Sequence, residues 1–293
     1  MKVMTDPKLS ELVSIGITTK NRWQDLEKTL TKIVEVGLGY LPIIIFDDGS
    51  DISCPFDLNA FDLAKIELKR FEHSQGLIVR RNQLAEVIKT KYYFSLDDDS
   101  YPVVNSLAAA VAFANTKEDL FCLSFPIYNP VQNRHENSSD SQQPYQVRSF
   151  VGCGHLLHRD RFLKLGGYRE ELVHQGEEME VAARAFQKNL YCYHFPDFLV
   201  HHTASNEGRS WWRMDFYGSR NNVLWNDWFV PNNLKLIKQT RTLVSRLLLS
   251  LKVRRLGLIQ GEIAGFRDIM RYQNNRHTMS FDIFNQWQDL PHN

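Results

Sequence analysis

Three short apolar runs, Leu12 to Thr18, Leu41 to Phe46 and Tyr92 to Leu96, are rich in β-branched and aromatic residues, and each stops at a polar cluster. Runs of this length that do not alternate with polar residues predict buried parallel strands. Between the first two, Arg22 to Val36 places Trp23, Leu26, Leu30, Ile33 and Val34 at helical spacing, with Asp25 and Glu27 near the start, where the helix dipole favours acids. A weaker strand around Ile66 to Phe71 and a helix around Ile78 to Thr90 continue the alternation. The pattern predicts a doubly wound parallel sheet, whose ligand crevice lies beyond the carboxyl ends of its strands.

Farther along, Leu107 to Ala114 suits a helix and Leu120 to Pro126 a strand. Asn129 to Ser149 holds few apolar residues and is expected to be a mobile surface loop that supplies no core. Ordered patterning resumes at Phe150, with helices expected over Arg159 to Leu165, Glu178 to Lys188 and Trp211 to Trp228, and two or more from Pro231 to about Tyr272.

The chain has 293 residues, 43% of them apolar, and a formal net charge of +1. That composition is globular, and near-neutrality argues against nucleic acid as an obligatory partner. Cys54, Cys122, Cys153 and Cys192 show no C-x-x-C spacing, so they read as reduced thiols, neither zinc clip nor disulfide framework. Met1 to Leu12 lacks the apolar stretch of a secretory signal, and no apolar run is long enough to span a bilayer. The expected location is the cytoplasm, or the inner face of its membrane.

Chemistry concentrates where the strands end. Asp97, Asp98 and Asp99 follow directly on Tyr92 to Leu96. Strand alternation sends Asp97 and Asp99 to one side, a pair that is stable when a cation or a set of donors neutralises it. Mg²⁺ or Mn²⁺ held by carboxylates and substrate phosphates fits that requirement; an acidic turn capping the next helix is the plainer alternative. Asp47, Asp48, Gly49 and Ser50 close the second run, and Thr18, Thr19, Lys20, Asn21 and Arg22 close the first. Three neighbouring strands ending in polar groups imply one crevice.

In this order and approximate spacing, "VSIGITTKNR", "IIIFDDGS", "SQGLIVRRN", "YYFSLDDDS", "FVGCGHLLHRDRFLKLGGY", "HQGEEMEVAAR" and "RNNVLW" resemble the family 2 glycosyltransferases, nucleotide-sugar enzymes with the GT-A fold. The resemblance covers about residues 12 to 230 and implies a Rossmann-like, mostly parallel sheet flanked by helices. On that basis residues 1–230 are the glycosyltransferase domain, with a nucleotide-binding part over about 12–100 and an acceptor part over about 101–230. Residues 231–293 form a C-terminal helical extension. Carried over by position, Thr18 and Asp48 would hold the nucleoside, with Asp48 on the base, and Arg81 would shape the nucleotide pocket. Asp97 would face the ribose side of the donor and Asp99 would bind the divalent metal, Mn²⁺ or Mg²⁺. Lys20 stands where many members carry an aromatic residue beside the base, and Ser74 where many carry Asn; both bear on base preference. UDP and dTDP sugars are the family's common donors, and a glycan or lipid-linked glycan its common acceptor.

The same resemblance makes Glu178 the general base, at a position where the family commonly has Asp. Glu177 and Glu180 flank it, at a helix start that favours acids with or without a catalytic role. A His is implied near the metal or diphosphate; the doublet His201–His202 does not show which ring turns inward, and His201 is the expected one. Arg220 suits either the diphosphate or a helix-surface salt bridge, and Trp211 with Trp212 suits either an acceptor sugar or helix packing. From Trp228 to Gly261 there is no Asp or Glu, while Lys235, Lys238, Arg241, Arg246, Lys252, Arg254 and Arg255 interleave with Leu and Val. This segment reads either as a basic amphipathic helix for an anionic membrane surface or as a hairpin packed on the catalytic domain. A sugar nucleotidyltransferase would want a glycine-rich phosphate loop that "TTKNR" lacks, and a binding module without catalysis would not need both the aspartate triplet and Glu178.

Overall fold

A computed structural model describes residues 7–137, 140–203 and 210–292. Its first half alternates as the apolar runs predict: α1 (Pro7–Leu12), β1 (Val13–Thr19), α2 (Trp23–Glu35), β2 (Pro42–Asp47), β3 (Lys65–Arg70), α3 (Leu77–Val87) and β4 (Tyr92–Asp97). There follow β5 (Ser100–Pro102), α4 (Leu107–Asn115), β6 (Leu120–Ser124), β7 (Ile127–Asn129), β8 (Arg134–Asn137), β9 (Tyr145–Val147) and β10 (Gly154–His158). The chain continues through α5 (Arg159–Lys164), α6 (Glu177–Phe186), β11 (Tyr191–His194), β12 (Val200–His202), α7 (Trp211–Phe229), α8 (Asn232–Val253), α9 (Gly257–Arg271) and α10 (Phe281–Asp289).

Among the described residues the main sheet has eight strands in the order β3-β2-β1-β4-β10-β6-β11-β9. Strands β3, β2, β1 and β4 are parallel, so Thr18, Asp47 and Asp97 reach the same edge. Beyond β4, β10 is antiparallel to both neighbours, β11 parallel to β6, and β9 antiparallel to β11. Every residue of β1 is buried, as a central strand covered by helices on both faces requires. Helix α2 buries Trp23, Leu26, Leu30 and Ile33, the positions its spacing marks, each contributing roughly 1.5–3 kcal/mol of burial.

One expectation needs correction. Residues 129–149, expected as a mobile loop without core, instead carry β8 and β9 and bury Asn129, Asn137 and Val147; 138 and 139 lie outside the described residues. Polar side chains there satisfy buried backbone: Asn137 Nδ2 donates to the Phe125 carbonyl at 2.8 Å, and its Oδ1 accepts from the Ile127 amide. A second sheet, β5-β12-β7-β8, was not foreseen, and it proves to carry part of the site. The 231–293 segment also shares the core, since Met279, Phe284 and Trp287 pack in one cluster with Phe121, Leu157 and Trp228. No described helix is long and apolar enough to cross a membrane.

Candidate active site

The crevice opens where β1, β2 and β4 end and is lined by Thr18, Thr19, Lys20, Arg22, Asp48, Leu77, Asp97 and Asp98. Strand β4 ends at Asp97, and the turn after it, rather than strand alternation, brings Asp99 back beside Asp97. Asp98 turns inward, accepting from Thr19 Oγ1 at 2.8 Å and facing Arg22 Nη1 at 3.0 Å. Burial raises its carboxyl well above the usual range despite the Arg22 charge. Asp97 accepts from Arg81 Nη2 at 2.6 Å. Asp99 accepts from Arg22 Nη2 at 2.6 Å and lies 3.4 Å from His202 Nε2. Burial pushes Asp99 upward, but the His202 hydrogen bond and charge, reinforced by Arg22, outweigh it and hold Asp99 at about 2.

The second sheet supplies the histidine, and it is His202, correcting the expectation of His201. Strand β12 pairs antiparallel with β5, setting His202 opposite Ser100, and the Thr203 amide donates to the Asp99 carbonyl at 2.8 Å. Alternation then sends the His201 ring the other way, against Tyr101 and Tyr128 with centroids 5.8 and 5.3 Å apart. His202 Nδ1 meets Glu136 Oε2 at 2.8 Å, and Cys153 lies beside it. Ligand atoms of Asp97, Asp99 and His202 lie within 4.8 Å of one another, as do those of Glu136, Cys153 and His202. Burial opposes a charge on His202, but Asp99, Cys153 and Glu136 together raise its pKa above the usual imidazole value.

Asp48 and Thr18 line the crevice as expected, in different states. Asp48 accepts from Ser74 Oγ (2.6 Å), the Gln75 and Gly76 amides (2.8 and 2.9 Å) and Arg80 Nε (2.7 Å). Burial opposes its ionisation, yet these donors lower its pKa. Its structural effect is to pin the turn before α3. Thr18 Oγ1 is buried with no hydrogen-bond partner, and Lys20 is exposed at the rim.

Arg81 connects this crevice to the start of α6. Besides Asp97 and the Gly152 carbonyl at 2.9 Å, it faces Glu177 at 3.6 Å and Glu178 at 3.5 Å. Burial, then the Glu177 charge, raise Glu178 to about 8 against the pull of Arg81, and burial raises Glu177 as well. Glu178 keeps 19% of its side chain exposed, whereas Glu177 keeps 4%. Of the two, Glu178 is the one a substrate can reach. A Cβ on Gly152 would stand 2.1 Å from Glu178 Oε1 and 2.9 Å from Arg81 Nη1, so a side chain there would displace both groups.

Two residues left with alternatives lie away from the crevice. Arg220 is buried on α7, tied to Asp268 of α9 at 2.7 Å and to the Glu171 carbonyl at 2.9 Å, so it is a helix-pairing residue and does not reach the crevice. Trp211 lies under the Arg255 guanidinium, 4.9 Å from its ring centre, at the turn between α8 and α9. Sequence reasoning missed Glu136, which sits in a polar stretch without periodicity, and left Arg22 without a role although it closes the first strand.

The Glycosyl transferase family 2 model matches residues 14–171. A pre-mycofactocin glycosyltransferase of Mycobacterium tuberculosis is 26% identical over a 223-position alignment that covers 70% of this chain and 46% of that protein; the chain thus spans less than half the length of this curated relative. Among solved structures, the mannosyltransferase PcManGT of Pyrobaculum calidifontis, in complex with GDP-Man and Mn²⁺, superposes with a TM-score of 0.61 at 14% identity, covering 98% of this chain and 81% of that one. GalNAc-T7 with UDP, GalNAc and Mn²⁺ gives 0.56 at 18% identity over 72% and 50%. S. aureus TarS 1-349 in complex with UDP-GlcNAc gives 0.56 at 12% identity over 94% and 78%. These likenesses establish a GT-A fold, and with the family match over more than half its length the chain belongs to glycosyl transferase family 2.

Proposed function

We propose that the chain is an inverting, divalent-metal-dependent glycosyltransferase that moves a sugar from a nucleoside diphosphate, with a UDP or dTDP sugar favoured, to a hydroxyl of a glycan or lipid-linked acceptor. The observation that carries this reading is the convergence of Asp97, Asp99 and His202, joined through Arg81 to Glu178. The residues fit a metal: the buried Asp99 Oδ1 faces His202 Nε2 at 3.4 Å, so one cation could take both, and carboxylates with an imidazole suit Mn²⁺ better than the all-oxygen sphere that Mg²⁺ prefers. A cation held there would neutralise the diphosphate as it departs. Glu178, raised toward neutrality, is a stronger base than an exposed carboxylate and would take the acceptor hydroxyl's proton as that oxygen attacks the anomeric carbon from the opposite face. Thr18 Oγ1 offers an unused hydrogen-bonding group to the nucleoside, beside Asp48 and Lys20.

Calorimetry with a panel of UDP, dTDP and GDP sugars tests the metal site. Donor binding should need Mn²⁺, and Asp99→Asn should weaken it about tenfold or more, because a charged hard-cation ligand is lost. Equal donor affinity in a chelator, or in the variant, overturns the assignment.

A further inference from the structure

Helix α8 is 22 residues long, yet it buries only Gln239 and Ser250. Its large apolar side chains point outward: Leu236 is 77% exposed, Leu251 68% and Leu248 62%, with Ile237, Leu243 and Leu247 also exposed. At about 100° per residue these six positions fall within one arc of roughly 140°, a continuous exposed stripe that begins beside the narrow buried face of Gln239 and Ser250. Such a stripe is costly to leave in water and marks an interaction surface.

Charge identifies what it meets. Exposed Arg241 and Lys252 border the stripe on the helical wheel, Arg254 follows at the end of the helix, and no acidic residue occurs from Trp228 to Gly261. At the same end the partly exposed Trp211 and Trp212 line one shallow pocket with Leu256, and the amphipathic indole suits a boundary between apolar and wet phases. A two-fold contact between copies would set this cationic patch against itself, whereas an anionic bilayer surface satisfies both the cations and the leucines. We propose that α8 lies in the interface of an anionic membrane, with its Leu stripe among the acyl chains and Arg241, Lys252 and Arg254 at the headgroups. The crevice sits on other elements, so this docking stands or falls independently of the proposed transfer reaction.

The test is co-sedimentation of the full chain, without donor or metal, with phosphatidylcholine vesicles that either contain or lack phosphatidylglycerol. Binding should favour the anionic vesicles about tenfold or more and weaken with salt. The triple variant Arg241→Gln, Lys252→Gln, Arg254→Gln and the triple variant Leu236→Ser, Leu248→Ser, Leu251→Ser should each lose about tenfold or more, with thermal melting unchanged because all six side chains are exposed. Equal sedimentation of wild type and both variants overturns the proposal. So does a wild-type dimer in analytical ultracentrifugation that the serine variant dissolves, which would assign the face to a second copy of the chain.

Discussion

His201 and His202 are adjacent in sequence and opposite in environment, which makes them a matched pair for testing the metal site at the scale of single residues. His202→Ala should weaken Mn²⁺ binding, read by electron paramagnetic resonance titration, by about 10–100-fold, and His201→Ala should change it less than about twofold. Comparable losses in both variants would mean that β12 is out of register. The acids were legible from sequence because three carboxylates at the end of an apolar strand, and an acidic helix start, are local patterns with a local cause. The choice between the two histidines was not, since side-chain direction in β12 is set by pairing with β5, remote along the chain. Glu136 was invisible for the same reason: only the β7–β8 hairpin brings it within 2.8 Å of His202. Arg220 stayed open between two readings because a cation near a site motif looks the same whether it meets a phosphate or, as here, Asp268.

Among the elements, α7 and α9 pack unusually close. Gly257, Gly261 and Gly265 form a stripe on α9, and a Cβ on Gly261 would stand 2.2 Å from the Phe216 carbonyl oxygen. On the same helix Glu262 is fully buried, and both of its carboxylate oxygens lack a hydrogen-bond partner. Burial raises its pKa to about 7, with Arg246 opposing. A carboxyl whose folded pKa is raised favours the folded state fully at pH values below its unfolded pKa, and that contribution is lost as pH rises through the folded value. Glu262→Gln should therefore leave stability nearly unchanged at pH 4.5 but increase it by about 1–3 kcal/mol at pH 8, measured by urea unfolding. A gain that is independent of pH would contradict the burial account. The helices of this segment were legible from their spacing. The outward direction of the α8 stripe was not, because a helical pattern shows that a helix has two faces and leaves open which one meets the protein.

Across the whole molecule, the sheet divides the work. Its parallel half sets Thr18, Asp48 and the aspartate triplet at one edge, as the strand-and-helix rhythm of the first half implies. The antiparallel half and the small second sheet bring in Gly152, Glu136 and His202 from segments whose sequence shows no such rhythm. Arg81 ties the two halves together, with Asp97 on one side and the α6 acids on the other. The reading stands on that junction, so the most direct test is nucleoside diphosphate release from nucleotide sugars with Mn²⁺, water serving as a surrogate acceptor, in wild type and Glu178→Gln. The account predicts metal-dependent release by wild type and a loss on the order of a hundredfold in the variant with donor affinity intact, since only proton transfer is removed. Equal rates in the two proteins, or loss of donor binding in Glu178→Gln with the fold preserved, would contradict it.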